Sequence, residues 1–334
     1  MNNLISVIIP AYNIAPYISR CLDSLLCQNY TNLQIIVVND GSTDNTGEII
    51  DQYAAKDRRI VAIHKINNGV TNARLRGIVE ATGEWIGFVD GDDYIEPDMY
   101  ARLVGNAVKH NADISHCGYR MIVGERVDYY YNTGRIVNQD NAAGLCDLVS
   151  GEFVEPGLWN KLYRRKLFNR ILVEDIIPAD IKINEDLLMN YWLFKEAETA
   201  VFEDFCPYHY IVRKNSASSA KLNHNKLWDP LRVTEIILAD ASTKIKPTIY
   251  RKFVRMLVGG ATMNTAENPQ LIKPYQTNAR KQLLRQLLQI VTGHECGIKL
   301  KFMALWATVW PASYGWIHTM YLKVTGLDKI YDLE

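Results

Sequence analysis

Short apolar runs rich in Val and Ile recur through the first hundred residues, at Ile5 to Ile9, Gln34 to Val38, Ile60 to Ile63 and Trp85 to Val89. Each is followed by polar or glycine-rich residues, the pattern of buried parallel strands. Between them the spacing predicts helices over Ala15 to Leu26, Thr43 to Ala55 after a Ser/Thr/Asp start, and Val70 to Ala81, with Gly83 as a C-cap. Alternating strands and helices predict an α/β layered fold. In such sheets ligands bind outside the carboxyl ends of the strands. Pro10 to Asn13 follow the first strand, Asn39 to Asp44 the second, Asn67-Asn68-Gly69 the third and Asp90 to Asp93 the fourth. These polar loops are expected to converge on one rim.

The last of these loops poses an electrostatic problem. Trp85-Ile-Gly-Phe-Val ends in Asp90-Gly91-Asp92-Asp93, and three carboxylates within four residues repel unless a cation sits among them or one keeps its proton. A divalent ion is the simplest remedy, because carboxylate oxygens suit Mg²⁺ and Mn²⁺, and Mg²⁺ is commonly held by one or two carboxylates plus substrate phosphates. The competing reading is an acidic surface turn in which Gly91 supplies a positive φ.

From Ile114 the pattern is mixed: an apolar strand to Cys117, then a hairpin through Val127-Asp-Tyr-Tyr-Tyr131 with Asn132 to Gly134 as turn residues. Asn184-Glu185-Asp186 opens an apolar helix running to Phe194, and its first turn carries two carboxylates where the helix macrodipole favours anions. Helix capping is the plainer reading of the same residues. After about Asn225 the chain is helical and basic. Apolar residues fall at helical spacing from Ala279 to Val291, with Arg280, Lys281 and Arg285 among the polar positions. Phe302 to Leu322 holds no Asp, Glu, Lys or Arg and includes Trp306, Trp310 and Trp316. Pro311, Gly315 and His318 argue against a full transmembrane helix there. The tail is expected either to touch an anionic membrane surface or to pack as a helical subdomain, against the body or a second copy.

Composition narrows the class. A chain of 334 residues with 48% apolar residues can bury a full core, and a formal net charge of +0 argues against a nucleic-acid partner. The charge is uneven: residues 1–100 hold seven Lys/Arg against thirteen Asp/Glu, and residues 270–334 hold eight against four. Cys21, Cys27, Cys117, Cys146, Cys206 and Cys296 are scattered without a C-x-x-C pair, so reduced thiols and an intracellular setting are expected. The N-terminus lacks a basic n-region and breaks at Pro10, so it reads as a first strand instead of a signal peptide. No G-x-G-x-x-G follows the first strand and no G-x-x-x-x-G-K-[ST] occurs, which leaves metal and side chains to hold any phosphates.

Taken together, the loops resemble the family 2 glycosyltransferases of GT-A fold, especially bacterial enzymes of surface-polysaccharide synthesis. The resemblance rests on Ser6-Val-Ile-Ile-Pro-Ala-Tyr-Asn13, Val38-Asn-Asp-Gly-Ser-Thr-Asp44, Asn67-Asn-Gly69 with Ala73-Arg74, Phe88-Val-Asp-Gly-Asp-Asp93 and Asn184-Glu-Asp186, and covers about residues 4 to 220. It implies a GT-A domain over 1–224, a Rossmann-like, mostly parallel central sheet flanked by helices, with a nucleotide-sugar half to about 115 and an acceptor half after it, and a helical C-terminal region over 225–334.

Carried over, the resemblance makes Pro10 and Tyr12 a nucleotide loop whose ring packs on uracil. Asp40 is similar to the acid that accepts from the base, with Asp44 beside it and Asn68 in the third loop. Arg74 resembles the basic residue near the donor phosphates. Asp90 and Asp92 look like the D-x-D pair, with Gly91 between them, Asp92 as the metal ligand, Asp90 nearer the ribose and Asp93 as a further ligand. Asp186 resembles the base that takes the acceptor proton, with Glu185 as alternative or support. Trp159 and Lys161 fall in a segment that could line the sugar or acceptor pocket, or, for Trp159, pack structurally. Tyr208 to Arg213, followed by Ser216 and Ser218, resembles a segment closing over the site, with Arg213 toward diphosphate and His209 either toward metal or, as is commoner for a lone His, in a structural role.

The activity so implied is inverting transfer of one sugar from a UDP-sugar to a lipid-linked saccharide, with Mn²⁺ or Mg²⁺, at the inner face of the cytoplasmic membrane. The Q-x-x-R-W segment of processive members is absent, so one sugar per acceptor is expected. The alternatives are a sugar-nucleotide nucleotidyltransferase, for which no phosphate-binding loop follows the first strand, and a noncatalytic nucleotide-sugar-binding subunit.

Overall fold

The computed structural model describes residues 3–130, 132–213, 221–266 and 268–325, and the chain divides into two compact units after Arg213. The first unit opens with β1 (Ile5–Ala11), α1 (Ala15–Leu26), β2 (Leu33–Asn39), α2 (Thr46–Lys56), β3 (Ile60–His64), α3 (Val70–Glu80) and β4 (Trp85–Phe88). It continues through β5 (Tyr94–Ile95), α4 (Met99–Lys109), β6 (Ile114–Val123), β7 (Arg126–Tyr130), β8 (Ile136–Asp140) and α5 (Asn141–Ser150). β9 (Lys161–Arg164), α6 (Asn169–Val173), α7 (Glu185–Glu196) and β10 (Thr199–Val212) complete it.

Among the described residues the strands form one ten-stranded sheet in the order β3-β2-β1-β4-β9-β6-β10-β5, with β7 on β6 and β8 on β10. β3, β2, β1 and β4 are parallel, as the continuous apolar runs require. Ile5, Val7, Ile8 and Ile9 are buried on both faces of β1, and Ile18, Cys21, Leu22 and Leu25 form the stripe that α1 lays on the sheet.

The second half of the sheet is mixed, where a mostly parallel sheet was expected. β9 runs antiparallel to both β4 and β6, β6 runs parallel to β10, and β6 folds back into β7. Tyr131, at the end of the expected hairpin, lies outside the described residues. α2 begins at Thr46, three residues later than its Ser/Thr/Asp start suggests, because the Asp44 carboxylate accepts from Thr46 N–H at 3.0 Å and from Ala15 N–H at 3.1 Å. Gly83 is not a C-cap. Its N–H donates to Ser6 Oγ at 2.9 Å, and a Cβ there would sit 2.6 Å from the Leu4 carbonyl, so glycine lets this loop lie against β1.

The second unit is helical: α8 (His224–Asp240), α9 (Lys246–Thr262), α10 (Pro269–Thr292), α11 (Ile298–Val309) and α12 (Pro311–Thr325). α8, α10, α11 and α12 all pack against α9, around a core that includes Phe253, Val254, Leu257, Leu283 and Ala304. The long uncharged stretch is broken at Trp310, just ahead of Pro311. Among the described residues no helix is long and apolar enough to cross a membrane.

Candidate active site

The carboxyl ends of β1 to β4 build the rim that their polar loops announced. Asn13, at φ 50°, accepts from Thr43 N–H at 2.8 Å, and its own N–H donates to Ser42 Oγ at 3.0 Å, which ties the first loop to the second. Pro10 is half-buried at the end of β1, and Tyr12 beyond it keeps 48% of its surface exposed, leaving a ring face available to a ligand. Asp40 is buried and joins the second loop to the third: it pairs with Lys65 and accepts from Asn68 N–H at 3.0 Å and Gly69 N–H at 2.8 Å. Asn68 thus serves Asp40 through its backbone, and its side chain is exposed.

At the end of β4 the chain solves its acidic crowding in three different ways. Asp93 N–H donates to the Asp90 carbonyl at 2.9 Å, and this tight turn swings the Asp93 side chain back toward the sheet. There Asp93 is buried, accepting from Tyr208 O–H and Ile211 N–H, both at 2.8 Å. Burial, then the charges of Asp92 and Asp90, hold its carboxyl well above the usual range. Asp92 pairs with Arg213, and Asp90 receives Arg74 Nη2 at 3.2 Å. Burial and Asp90 raise the Asp92 carboxyl against the pull of Arg213. Gly91 does not have a positive φ. Its role is steric, since a Cβ would stand 2.4 Å from Ile14 Cδ1.

Arg74 links this loop to one that is remote in sequence. Its Nη1 donates to Glu185 Oε1 at 3.0 Å, so one buried guanidinium on α3 joins the end of β4 to the start of α7. Asn184 precedes that start in the left-handed region at φ 65°, a conformation Asn tolerates better than most residues. Burial, then Asp186, push Glu185 up to about 7 against the opposing pull of Arg74. Asp186 is half-buried, and Leu187 N–H donates to its Oδ1 at 2.7 Å. Burial raises its carboxyl too, while Arg74 and Lys161 oppose the rise. Burial works against the charged form of Arg74, but Asp90, Glu185 and Asp186 together more than offset it. Arg74 Nε is buried with no hydrogen-bond partner among the described residues.

Other expected site residues serve the scaffold. His209 Nε2 lies 2.8 Å from Glu96 Oε1 and the ring stacks on Tyr94 with centroids 4.1 Å apart, so it faces away from the acid loop and is no metal ligand here. Strand alternation is the reason: Tyr208 points to Asp93 and its neighbour His209 to the opposite face. Asp93, with both oxygens bonded inside the protein, is likewise withdrawn as a ligand. Lys161 is fully buried, and its Nζ donates to the carbonyls of Glu155 and Gly157, each at 2.5 Å, and to Asn160 Oδ1 at 2.7 Å. An ammonium has three protons, so none remains for a donor sugar. Trp159 is buried, stacked on Tyr208 at 4.3 Å and edge-on to Tyr119 at 4.9 Å, which is packing. Ser216 and Ser218 lie outside the described residues.

The sequence reading missed Arg20 and Tyr17. Arg20 Nη2 donates to the Asp92 carbonyl at 3.0 Å and its guanidinium lies 4.6 Å over Tyr94, while Tyr17 carries Arg213 at 4.5 Å. Their one sequence signal is their place on the early turns of α1, the helix that leaves the first loop.

The Tyr208 hydroxyl also accepts from Asp90 N–H at 3.1 Å, so it is the pin between the acid loop and β10. Tyr208→Phe is expected to leave Asp93 short of a donor and to cost about 1–3 kcal/mol of stability. Thermal unfolding at neutral pH measures this, and an unchanged midpoint would remove the pin from the account.

Asp90 and Asp92 each keep one carboxylate oxygen outside these pairings, and their side chains are 27% and 20% exposed, unlike Asp93. Two hard oxygen donors fit a Mg²⁺ or Mn²⁺ ion whose coordination is completed from outside the protein. Among the described residues no three His, Cys, Asp or Glu side chains converge to hold an ion without such help.

A model of the family described as glycosyl transferase family 2 matches residues 6–172. The uncharacterized glycosyltransferase EpsJ of Bacillus subtilis is 36% identical over 229 residues, covering 68% of this chain and 65% of EpsJ. Glycosyltransferase GlyA of Streptococcus pneumoniae is 30% identical over 301 residues, 86% of this chain and 42% of GlyA. Glycosyltransferase GlyG of the same organism is 35% identical over 243 residues, 68% of this chain and 76% of GlyG. The chain thus spans less than two thirds of EpsJ and less than half of GlyA. Among solved structures, S. aureus TarS in complex with UDP-GlcNAc superposes with a TM-score of 0.73 at 22% identity, over 96% of this chain and 92% of that one, which establishes the shared GT-A fold. The family match and the GlyG alignment give the same assignment: the chain belongs to glycosyl transferase family 2.

Proposed function

We propose that the chain transfers one sugar, a hexose or N-acetylhexosamine, from a UDP-sugar to a lipid-linked saccharide in the synthesis of a bacterial surface polysaccharide, inverting the anomeric centre. The observation that carries this reading is the Arg74 bridge between Asp90 and Glu185. It sets the acid loop that faces a diphosphate and the carboxylates that face an acceptor on either side of one buried cation. The fold shared with TarS, solved with UDP-GlcNAc, supports a UDP-sugar donor. In this reading residues 1–115 handle the donor and 116–224 the acceptor, at the inner face of the cytoplasmic membrane.

Each residue then has a physical task. Tyr12 offers its exposed ring to the uracil and Pro10 stiffens the loop beneath it. Asp40 has one lone pair of Oδ2 left for the base once Gly69 is served. Asp44 holds the first and second loops together. Arg74 and Arg213 neutralise diphosphate charge, and the unpaired Nε of Arg74 is a donor awaiting an acceptor. A divalent ion held by Asp92 and Asp90 would supply Lewis-acid stabilisation of the leaving diphosphate. Asp186 takes the proton of the acceptor hydroxyl as it attacks, and Glu185 keeps Arg74 in place.

Incubating the protein with a panel of UDP-sugars, with Mn²⁺ and with chelator, tests this reading. Release of UDP from one or two sugars, lost on chelation, is the expected result. Neither turnover nor binding with any nucleotide sugar would refute it. Pyrophosphate released from a nucleoside triphosphate would indicate a nucleotidyltransferase, and tight UDP-sugar binding without transfer a noncatalytic subunit.

A further inference from the structure

The second unit leaves apolar side chains exposed on the outer faces of three consecutive helices. On α10, Leu284 and Leu288 are 64% and 76% exposed, and at spacings i, i+3, i+4 and i+7 they share one helical face with Lys281 and Arg285. The pattern repeats on α11, where Ile298, Phe302 and Leu305 share a face with Lys301, and Ile298 is 87% exposed. Trp310 follows α11, Trp316 lies on α12, and each is 66% exposed. α10 packs on α11 and α11 on α12, while each also contacts α9. These exposed faces lie on neighbouring helices packed around one core and make up the outer layer of the unit. Large exposed apolar side chains clustered on a folded chain are a signature of interaction sites.

Charge decides the partner. Between residues 269 and 325 there are seven Lys or Arg and one acid, Glu295. Basic and apolar side chains alternate on the same exposed faces, and the exposed Trp310 and Trp316 follow in the next residues of the chain. Indole rings favour the boundary between headgroups and acyl chains, and clustered Lys and Arg favour anionic headgroups. A protein partner would have to be both greasy and strongly acidic, whereas an anionic lipid surface has both properties everywhere. No described helix can span a bilayer, so the contact lies on the surface.

We propose that the outer layer of α10, α11 and α12 docks on an anionic phospholipid surface, with the leucine, phenylalanine and tryptophan side chains entering the headgroup boundary and Lys281, Arg285 and Lys301 neutralising lipid phosphates. The residues of this surface belong to the second unit and those of the donor site to the first; the proposal rests on the membrane placement in the proposed function, and its failure would leave the sugar-transfer reading intact.

Cosedimentation of the full chain with vesicles rich in phosphatidylglycerol, and with pure phosphatidylcholine, provides the test. Binding to the first only, released by salt, is expected. The double variant Lys281→Glu, Arg285→Glu should weaken that partition about tenfold or more. Phe302→Ser with Trp316→Ser should weaken it comparably without lowering UDP-sugar turnover, since those side chains are already exposed, and wild-type tryptophan emission should be quenched by brominated lipid. The proposal is overturned if the wild type ignores anionic vesicles, or if both double variants bind as it does. It is equally overturned if light scattering shows the apolar variant converting an oligomer to a monomer while vesicle binding stays absent, which would make the layer a contact between copies of this chain.

Discussion

Asp186→Asn is expected to reduce sugar transfer about 10²–10⁴-fold, the usual contribution of a general base, while UDP-sugar binding stays within about twofold of wild type. The carboxylate is held by Leu187 N–H at the opening of α7, next to but outside the Asp90–Arg74–Glu185 bridge that ties the acid loop to α7. An amide of the same shape can keep that place but cannot take a proton. Single-turnover transfer alongside calorimetric titration with UDP separates the two effects. Transfer retained above about a tenth would move the base elsewhere. Loss of UDP binding would place Asp186 among the donor contacts.

If the pair acts as proposed, it gives transfer a pH dependence of definite sign. A base must be ionised to act, and burial raises both Glu185, to about 7, and Asp186. Activity should therefore fall as pH drops through a range well above that of ordinary carboxylates. The two groups interact, so the acid limb belongs to the pair and not to either residue. Glu185→Gln removes one titrating group, and whatever limb survives reports Asp186.

How much of this was legible in sequence depends on the range of the interactions involved. β1 to β4 and their loops could be read because buried parallel strands are written as continuous Val/Ile runs and their ligand loops follow directly. The mixed half could not. β9 is four residues long and pairs with Trp85 to Gly87 on one side and Ile114 to His116 on the other, partners that nothing local to Lys161 specifies. The fates of Asp90, Asp92 and Asp93 were hidden for a related reason. Their spacing announces crowding, but their partners Arg74, Arg213 and Tyr208 arrive from distant elements. His209 and Lys161 mislead because residue type suggests chemistry while strand direction and burial assign them to packing. Tyr208 and His209 were separable from the alternation of a strand alone, had the face of one been known.

Arg74→Met is expected to damage both stability and donor binding, by separable routes. Removing one partner of a buried ion pair strands the others, a loss of about 3–5 kcal/mol. In this chain both Asp90 and Glu185 would lose their cation, with side chains only 27% and 10% exposed. For a unit of this size that corresponds to an unfolding midpoint about 6–20 °C lower. Arg74 opposes the rise of Glu185, so in the variant Glu185 should move above its wild-type value of about 7. A carboxyl with a raised folded pKa is tolerated below that value and strained above it, so the variant should recover much of its stability on moving from pH 8 to pH 6. Arg74→Met combined with Glu185→Gln should recover stability at pH 8 as well, yet still fail to bind UDP-sugar tightly, because the diphosphate has lost its guanidinium. Arg74→Lys should not rescue binding, since a single ammonium cannot reach Asp90 and Glu185 in two directions at once. If Arg74→Met instead unfolds at the wild-type midpoint at pH 8, the bridge does not hold the two loops together, and the alignment of donor loop and base must come from the packing of α3 and α7 alone.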